Sequence, residues 1–199
     1  MRYIDSGSRQ LDQALGTWLA QEAANSIQQF RMQSGYFSLD GLGQLEQALR
    51  ALSVSGGTVR AVIGSNDGMT LGSHVEQLVD ILGVPRPDAS LGVASFSNAI
   101  FHPKTLHVRR GDGSQAAYVG SANMGRSAVS GLNVEAGLIL DERDGDPVSH
   151  IEQTCMLYAR ALEPDGVELL LALAMKPEGG DRTHEIMIGL PLAPGEFAA

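Results

Sequence analysis

The residues with the most chemistry per unit length lie between positions 101 and 135. Phe101-His102-Pro103-Lys104 is followed by Gly111-Asp112-Gly113-Ser114, then Gly120-Ser121-Ala122-Asn123, then Asn133 and Glu135. Asp-Gly between two strand-like runs predicts a hairpin, because a two-residue type I′ turn needs positive φ at both central positions. Centred on Asp112-Gly113, that hairpin sets Lys104 opposite Ser121 and His102 opposite Asn123. Cross-strand neighbours stand about 4.5–5.5 Å apart at Cβ and alternate residues share a face, so the four side chains are expected on one patch. Pro103 disfavours the α region at His102 and keeps it extended. An imidazole, a fixed cation, a hydroxyl and a carboxamide together suit an anionic tetrahedral centre such as phosphate. Glu135 stands at the mouth of an apolar run, Ala136 to Leu140. A carboxylate there needs a partner, and an imidazole that must hold one tautomer is a natural one.

The elements that must hold these groups are readable from periodicity. Leu11, Leu15, Trp18, Leu19 and Ala23 predict a helix over 9–26. Tyr36-Phe37 reads as a short strand, and Leu42, Leu45, Leu49 and Leu52 as a helix capped by Asp40. A strand from Thr58 to Gly64 and a helix from Leu71 to Leu82, ended by Gly83, complete an α/β alternation. Four strands then follow in quick succession: Leu91 to Phe96, Thr105 to Arg110, Gln115 to Val119 and Asn133 to Leu140. Helices near Val148 to Leu162 and Val167 to Met175 are expected to close the domain.

Composition removes several classes of function. The 199 residues are enough for one core, and 43% hydrophobic with 19% charged residues is ordinary globular usage. The single Cys excludes an internal disulfide, no His/Cys set has zinc-ligand spacing, and aromatics at 5% are too few for rows of base-stacking rings. No run reaches the roughly 20 apolar residues of a membrane span and no signal peptide precedes Gln13, so the sequence reads as soluble and cytoplasmic. The net charge is −9, but residues 101–130 carry four basic groups against one acidic. Lys104, Arg109, Arg110 and Arg126 would form a narrow basic strip, in which Arg109, Arg110 and Arg126, with Asn133, are the expected substrate contacts. Gly64-Ser65-Asn66-Asp67 echoes Gly120-Ser121-Ala122-Asn123 but has no His-x-Lys ahead of it, and reads as chance turn chemistry.

Taken together, His102-x-Lys104, Gly120-Ser121-x-Asn123 and Asn133-x-Glu135 resemble the signature of the phospholipase D superfamily. Ser34-Gly35-Tyr36-Phe37 and Val59 to Gly64 are similar to that family's first strands, and the likeness covers about residues 30 to 162. The resemblance implies a central mixed β-sheet flanked by helices on both faces, one motif per chain. The catalytic domain would span 1–176, and 177–199 would be a linker or tail leading toward any further domain. It also implies catalysis by His102, Lys104, Ser121, Asn123 and Glu135 without a metal or other cofactor. An imidazole attacks the phosphodiester to form a phosphohistidine, while a second imidazole protonates the leaving oxygen and then activates water. Two His-x-Lys motifs are needed and this chain has one, since Glu76, Arg109, Glu152 and Ile186 follow two positions after its other four His. A homodimer with the site on its two-fold axis is therefore expected. His107 and Arg109 fall on the strand face opposite Lys104 and are expected at the surface. Where the family pattern places Asp five residues after the Lys, this chain has Arg109. Related metal-independent endonucleases also lack that Asp and lipid-cleaving members keep it, which points to a DNA endonuclease of restriction or defence type, with RNA as the alternative nucleic acid. The rivals are a phospholipase-type lipid enzyme, which would want an amphipathic docking stretch, and a non-catalytic phosphate- or nucleic-acid-binding module.

Overall fold

The computed structural model describes residues 1–66, 69–94 and 100–145. Seven strands form one mixed sheet: β1 (Arg2–Asp5), β2 (Ile27–Ser34), β3 (Thr58–Gly64), β4 (Ala89–Ala94), β5 (Lys104–Arg110), β6 (Gln115–Gly120) and β7 (Ala136–Asp141). Their order is β1-β7-β6-β5-β2-β3-β4; β2, β3 and β4 run parallel and every other neighbouring pair is antiparallel. Parallel neighbours need crossovers, and α2 (Leu45–Val54) and α3 (Gly72–Leu82) supply them between β2, β3 and β4. α1 (Leu15–Ala23) precedes β2, and the short α4 (Arg126–Val129) follows β6.

One face of the sheet and all the longer described helices share a single core. Phe30, Met32, Val59, Ala61, Ile63, Leu106, Val108 and Tyr118 meet Trp18, Leu45, Leu49, Leu52, Val75, Leu78 and Ile81 there. The other face carries Gln33, Arg31, Thr105, His107 and Arg109 on β2 and β5. Thr105 Oγ1 donates to Gln33 Oε1 at 3.0 Å, and the His107 Nε2 to Gln115 Oε1 distance is 3.0 Å. His107 is wholly buried, contrary to the surface position expected, because β5 lies mid-sheet with strands on both sides. The helices expected near Val148 to Leu162 and Val167 to Met175, the boundary at 176 and the tail fall outside the described residues.

Several boundaries differ from the sequence reading. The first helix starts at Leu15 rather than 9, since Leu11–Gln13 form a 3-10 turn and Ala14 is extended at ψ 140°. The strand expected at Tyr36-Phe37 ends at Ser34, and Asp40 lies in a separate 3-10 turn without capping α2, whose preceding residue is Gln44. Asn133 and Glu135 precede β7.

The hairpin is the consequential difference. Arg110 N donates to Ser114 O at 2.8 Å, Gly113 N donates to Arg110 O at 3.0 Å, and Gly113 has φ +86°. The loop is therefore three residues, Gly111 to Gly113, with the left-handed glycine at its end. Thr105 pairs with Val119 and Arg109 with Gln115, one position away from the expected register, which would align Lys104 with Gly120 instead of Ser121.

At this end of the hairpin Arg110 is tied to α1. Its Nη2 and Nε donate to Glu22 Oε1 and Oε2 at 2.6 and 2.8 Å, and Glu22 is 3% exposed. Breaking a buried pair strands the remaining charge, so Glu22→Gln is expected to cost about 3 kcal/mol. Urea unfolding should show a lower midpoint with an unchanged slope; an unchanged midpoint would mean that the pair stabilises nothing.

Candidate active site

Four chain segments meet at one end of the sheet. Lys104, first in β5, is registered with Ser34, last in β2, while Gly120, last in β6, pairs with Gly137 near the start of β7. Antiparallel pairing thus gathers Tyr36 just beyond β2, His102 and Lys104 at the start of β5, Ser121 and Asn123 just beyond β6, and Glu135 just before β7. The parallel strands end here too, the usual side for sites in sheets of this kind.

Lys104 is 8% exposed and its Nζ donates to the His102 carbonyl at 2.9 Å. Burial pushes its ammonium pKa down, and the nearby Glu135 carboxylate opposes that shift. The His102 imidazole is exposed and meets the Tyr36 ring edge-on, with centroids 5.8 Å apart at 82°. Its pKa is held below the ordinary 6.5, first by desolvation and then by the Lys104 charge, which favours the neutral ring. Ser121 Oγ makes a short hydrogen bond to Glu135 Oε2 and accepts from Ala136 N at 3.1 Å. Asn133 Nδ2 donates to Glu135 Oε1 at 3.4 Å, and Asn123 Oδ1 accepts from Tyr36 N at 3.0 Å. Glu135 is expected from the sequence to hold an imidazole; among the described residues its carboxylate bonds to Ser121 and Asn133. Ser121 and Asn123 reach the cluster despite the shifted register because the ladder stops at Gly120, beyond which strand parity no longer dictates direction.

Three further residues support the cluster and carry no signal in the sequence. Ser6, 4% exposed, donates to Asn133 O at 2.8 Å and accepts from Glu135 N at 2.7 Å. Ser34 Oγ accepts from Met124 N at 2.8 Å and donates to Tyr36 O at 2.6 Å. Tyr118 Oη accepts from Ala122 N at 3.1 Å, and burial raises the phenol to about 12. Asn66, in the tetrapeptide read as chance turn chemistry, is buried and bonded to both Gly35 and Phe101.

The basic strip does not form. Arg110 is taken by Glu22, and the guanidinium is held above its ordinary pKa chiefly by that hydrogen bond. Arg109 donates to Gln115 Oε1 at 3.1 Å on the face away from Lys104. Both stand at the opposite end of β5, five and six residues on, or about 17 and 20 Å at some 3.3 Å per residue. Arg126 is exposed at the start of α4, three residues after Asn123 in the chain. Asn133 is exposed beside Glu135. Among the described residues no group of three or more His, Cys, Asp or Glu could hold a metal ion, and no helix is long and apolar enough to cross a membrane.

Because the Lys104 charge is one of the two causes of the lowered His102 pKa, Lys104→Met should raise the imidazole titration midpoint toward 6.5, followed by NMR of the ring protons. A midpoint that stays or falls would contradict the assigned coupling. In the parent the folded pKa lies below the unfolded one, so the stability this group contributes is present above the unfolded pKa and is lost as pH falls through the folded one.

The chain is similar in structure to NucT from Helicobacter pylori, at 15% identity and TM-score 0.55, over 81% of this chain and 94% of that one. It also matches Nuc from Salmonella typhimurium, described as a phospholipase D family member, at 17% identity and TM-score 0.47, over 76% and 91% of the two chains. A family model described as a protein of unknown function, DUF2491, matches residues 138–198. No curated protein matches the sequence. The likeness to NucT shows a shared fold, and the α/β architecture expected from the sequence, built on a central mixed sheet, is the one the chain adopts.

Proposed function

We propose that the chain is a metal-independent phosphodiesterase that cleaves DNA through a phosphohistidine intermediate, working as a homodimer. The observation that supports this most is the meeting of a neutral imidazole, a buried ammonium and a carboxamide at four strand ends that are far apart in sequence. In the reaction, a ring nitrogen of His102 attacks phosphorus and forms the N–P bond. The P–O bond to the leaving group breaks, and that oxygen takes a proton from the imidazolium of the second copy. Water, deprotonated by that same imidazole, then displaces the phosphoryl group and frees His102. Lys104 balances the developing charge, a task that falls to a metal ion in other phosphodiesterases. Asn123 joins it, since its Oδ1 is used by Tyr36 and its Nδ2 remains the donor. Ser121 contributes differently from the sequence reading: its one proton goes to Glu135, so it links the carboxylate to the cluster rather than binding phosphate.

One imidazole per chain and a reaction that uses two favour a dimer. Leu132 and Val134, 64% and 68% exposed, flank Asn133 beside Glu135, and Ile100, 56% exposed, precedes Phe101-His102. Such an aliphatic rim around a polar site suits an isologous contact with a second copy. The choice of nucleic acid over lipid rests on Arg109 standing where the lipid-cleaving members of the resembled family keep Asp.

The parent protein should sediment as a dimer and cleave plasmid DNA in excess EDTA, while His102→Ala loses at least a thousandfold in rate and still dimerises. Activity that vanishes in EDTA and returns with Mg²⁺, or preferential cleavage of phosphatidylcholine vesicles, would overturn the reaction or the substrate respectively.

With Arg109 and Arg110 engaged elsewhere, Arg126 is expected to make the phosphate contact outside the cluster. Arg126→Ala should reduce the slope of log K against log salt by about one, as measured by DNA-binding titrations, and Arg109→Ala should leave it unchanged.

A further inference from the structure

We infer that Asn66 is a positioning residue for His102: its carboxamide ties Gly35 to Phe101 and so fixes the imidazole against Tyr36. Asn66 follows β3, is 4% exposed, and uses its whole carboxamide. Nδ2 donates to Gly35 O at 2.9 Å and to Phe101 O at 2.8 Å, and Oδ1 accepts from Phe101 N at 2.9 Å. Thr70 Oγ1 donates to the carbonyl oxygen of Gly64, the last residue of β3, at 2.6 Å.

Both partner segments lead straight into the site. The peptide unit between Gly35 and Tyr36 is held from two sides, its carbonyl by Asn66 and its N–H by Asn123. Gly35 N donates to Pro103 O at 3.0 Å, and a Cβ placed on Gly35 would lie 2.9 Å from both His102 Cδ2 and Phe101 O. His102 is thus seated between the Gly35 backbone and the edge of the Tyr36 ring. Among the described residues its ring nitrogens have no hydrogen-bond partner, so its direction depends on how firmly Phe101 and Gly35 are held. A nucleophile misplaced by about 1 Å can lose on the order of a hundredfold in rate.

The activity arm of the test rests on the phosphodiesterase reading above; the titration arm does not. Asn66→Ala should fold, lower kcat on bis(p-nitrophenyl) phosphate by about 10- to 100-fold with KM within about twofold, and shift the His102 titration seen by NMR. Asn66→Asp, of nearly equal volume, sets an oxygen against two carbonyl oxygens and should do no better. Should Asn66→Ala not fold, Asn66→Ser keeps one donor and should give an intermediate loss in the same readouts. Glu22→Gln, at the other end of the sheet, controls for lost stability and should move neither the His102 titration nor kcat. Asn66 variants that lower Tm while keeping the parent's kcat and His102 titration would overturn the inference. If the titration shifts but the parent shows no turnover, the positioning role stands and the phosphodiesterase reading fails.

Discussion

β5 runs antiparallel between β2 and β6, and the rest of the site depends on that pairing. Because Lys104 starts where Ser34 ends and Gly120, last in β6, pairs with Gly137 near the start of β7, four strand ends are stacked within three strand spacings. Neighbouring strands are about 4.8 Å apart, so residues that leave the sheet at those ends are brought within side-chain reach of one another. The same geometry removes the far end of β5 from the chemistry. Glu22 occupies Arg110 there, and the hairpin end becomes an anchor for α1 instead of a binding surface.

The central strands and helices were legible because each repeats a period along its length. β3 and α3 combine unbroken apolar runs or stripes with a glycine at the end, and they appear at or within a residue of where periodicity places them. β2 was missed although it too repeats a period. Gln29, Arg31 and Gln33 alternate with Phe30 and Met32 in strict period two, but their buried polar face disguises a mid-sheet strand as a surface segment. β1 is too short, at Arg2–Asp5, to carry a pattern.

The grouping of His102, Lys104, Ser121, Asn123 and Glu135 at one end of the sheet was legible, its geometry less so. An Asp-Gly pair signals a hairpin without specifying whether the glycine closes a two- or three-residue loop, and that choice shifts every cross-strand partner by one. The clustering of His102, Lys104, Ser121 and Asn123 survived the shift only because the last two lie beyond the ladder. The supporting roles of Ser6, Ser34 and Asn66 could not have been found, since each acts by bonding to backbone atoms of distant segments and such bonds leave no spacing rule in the chain. Arg110 looked like a substrate contact because a basic run on a strand shows charge, while its buried partner is 88 residues away.

The charges around the cluster also bear on how two identical imidazoles can take different roles in the proposed reaction. Lys104 is desolvated, it is influenced by the Glu135 carboxylate, and its charge helps to lower the His102 pKa, which favours the neutral ring in the free site. A bound phosphodiester adds a negative charge that favours the protonated form of any nearby imidazole. In the proposed dimer two-fold symmetry would make the copies equal until the substrate arrives, but only one bridging oxygen of a phosphodiester departs, and in-line attack must come from the side of phosphorus opposite to it. The ring aligned opposite the departing oxygen has its lone pair directed at phosphorus and gains most by staying neutral. The ring beside that oxygen gains most by carrying the proton. The substrate's own geometry thus divides the labour, and a depressed resting pKa is what leaves a lone pair available on whichever ring is placed to attack.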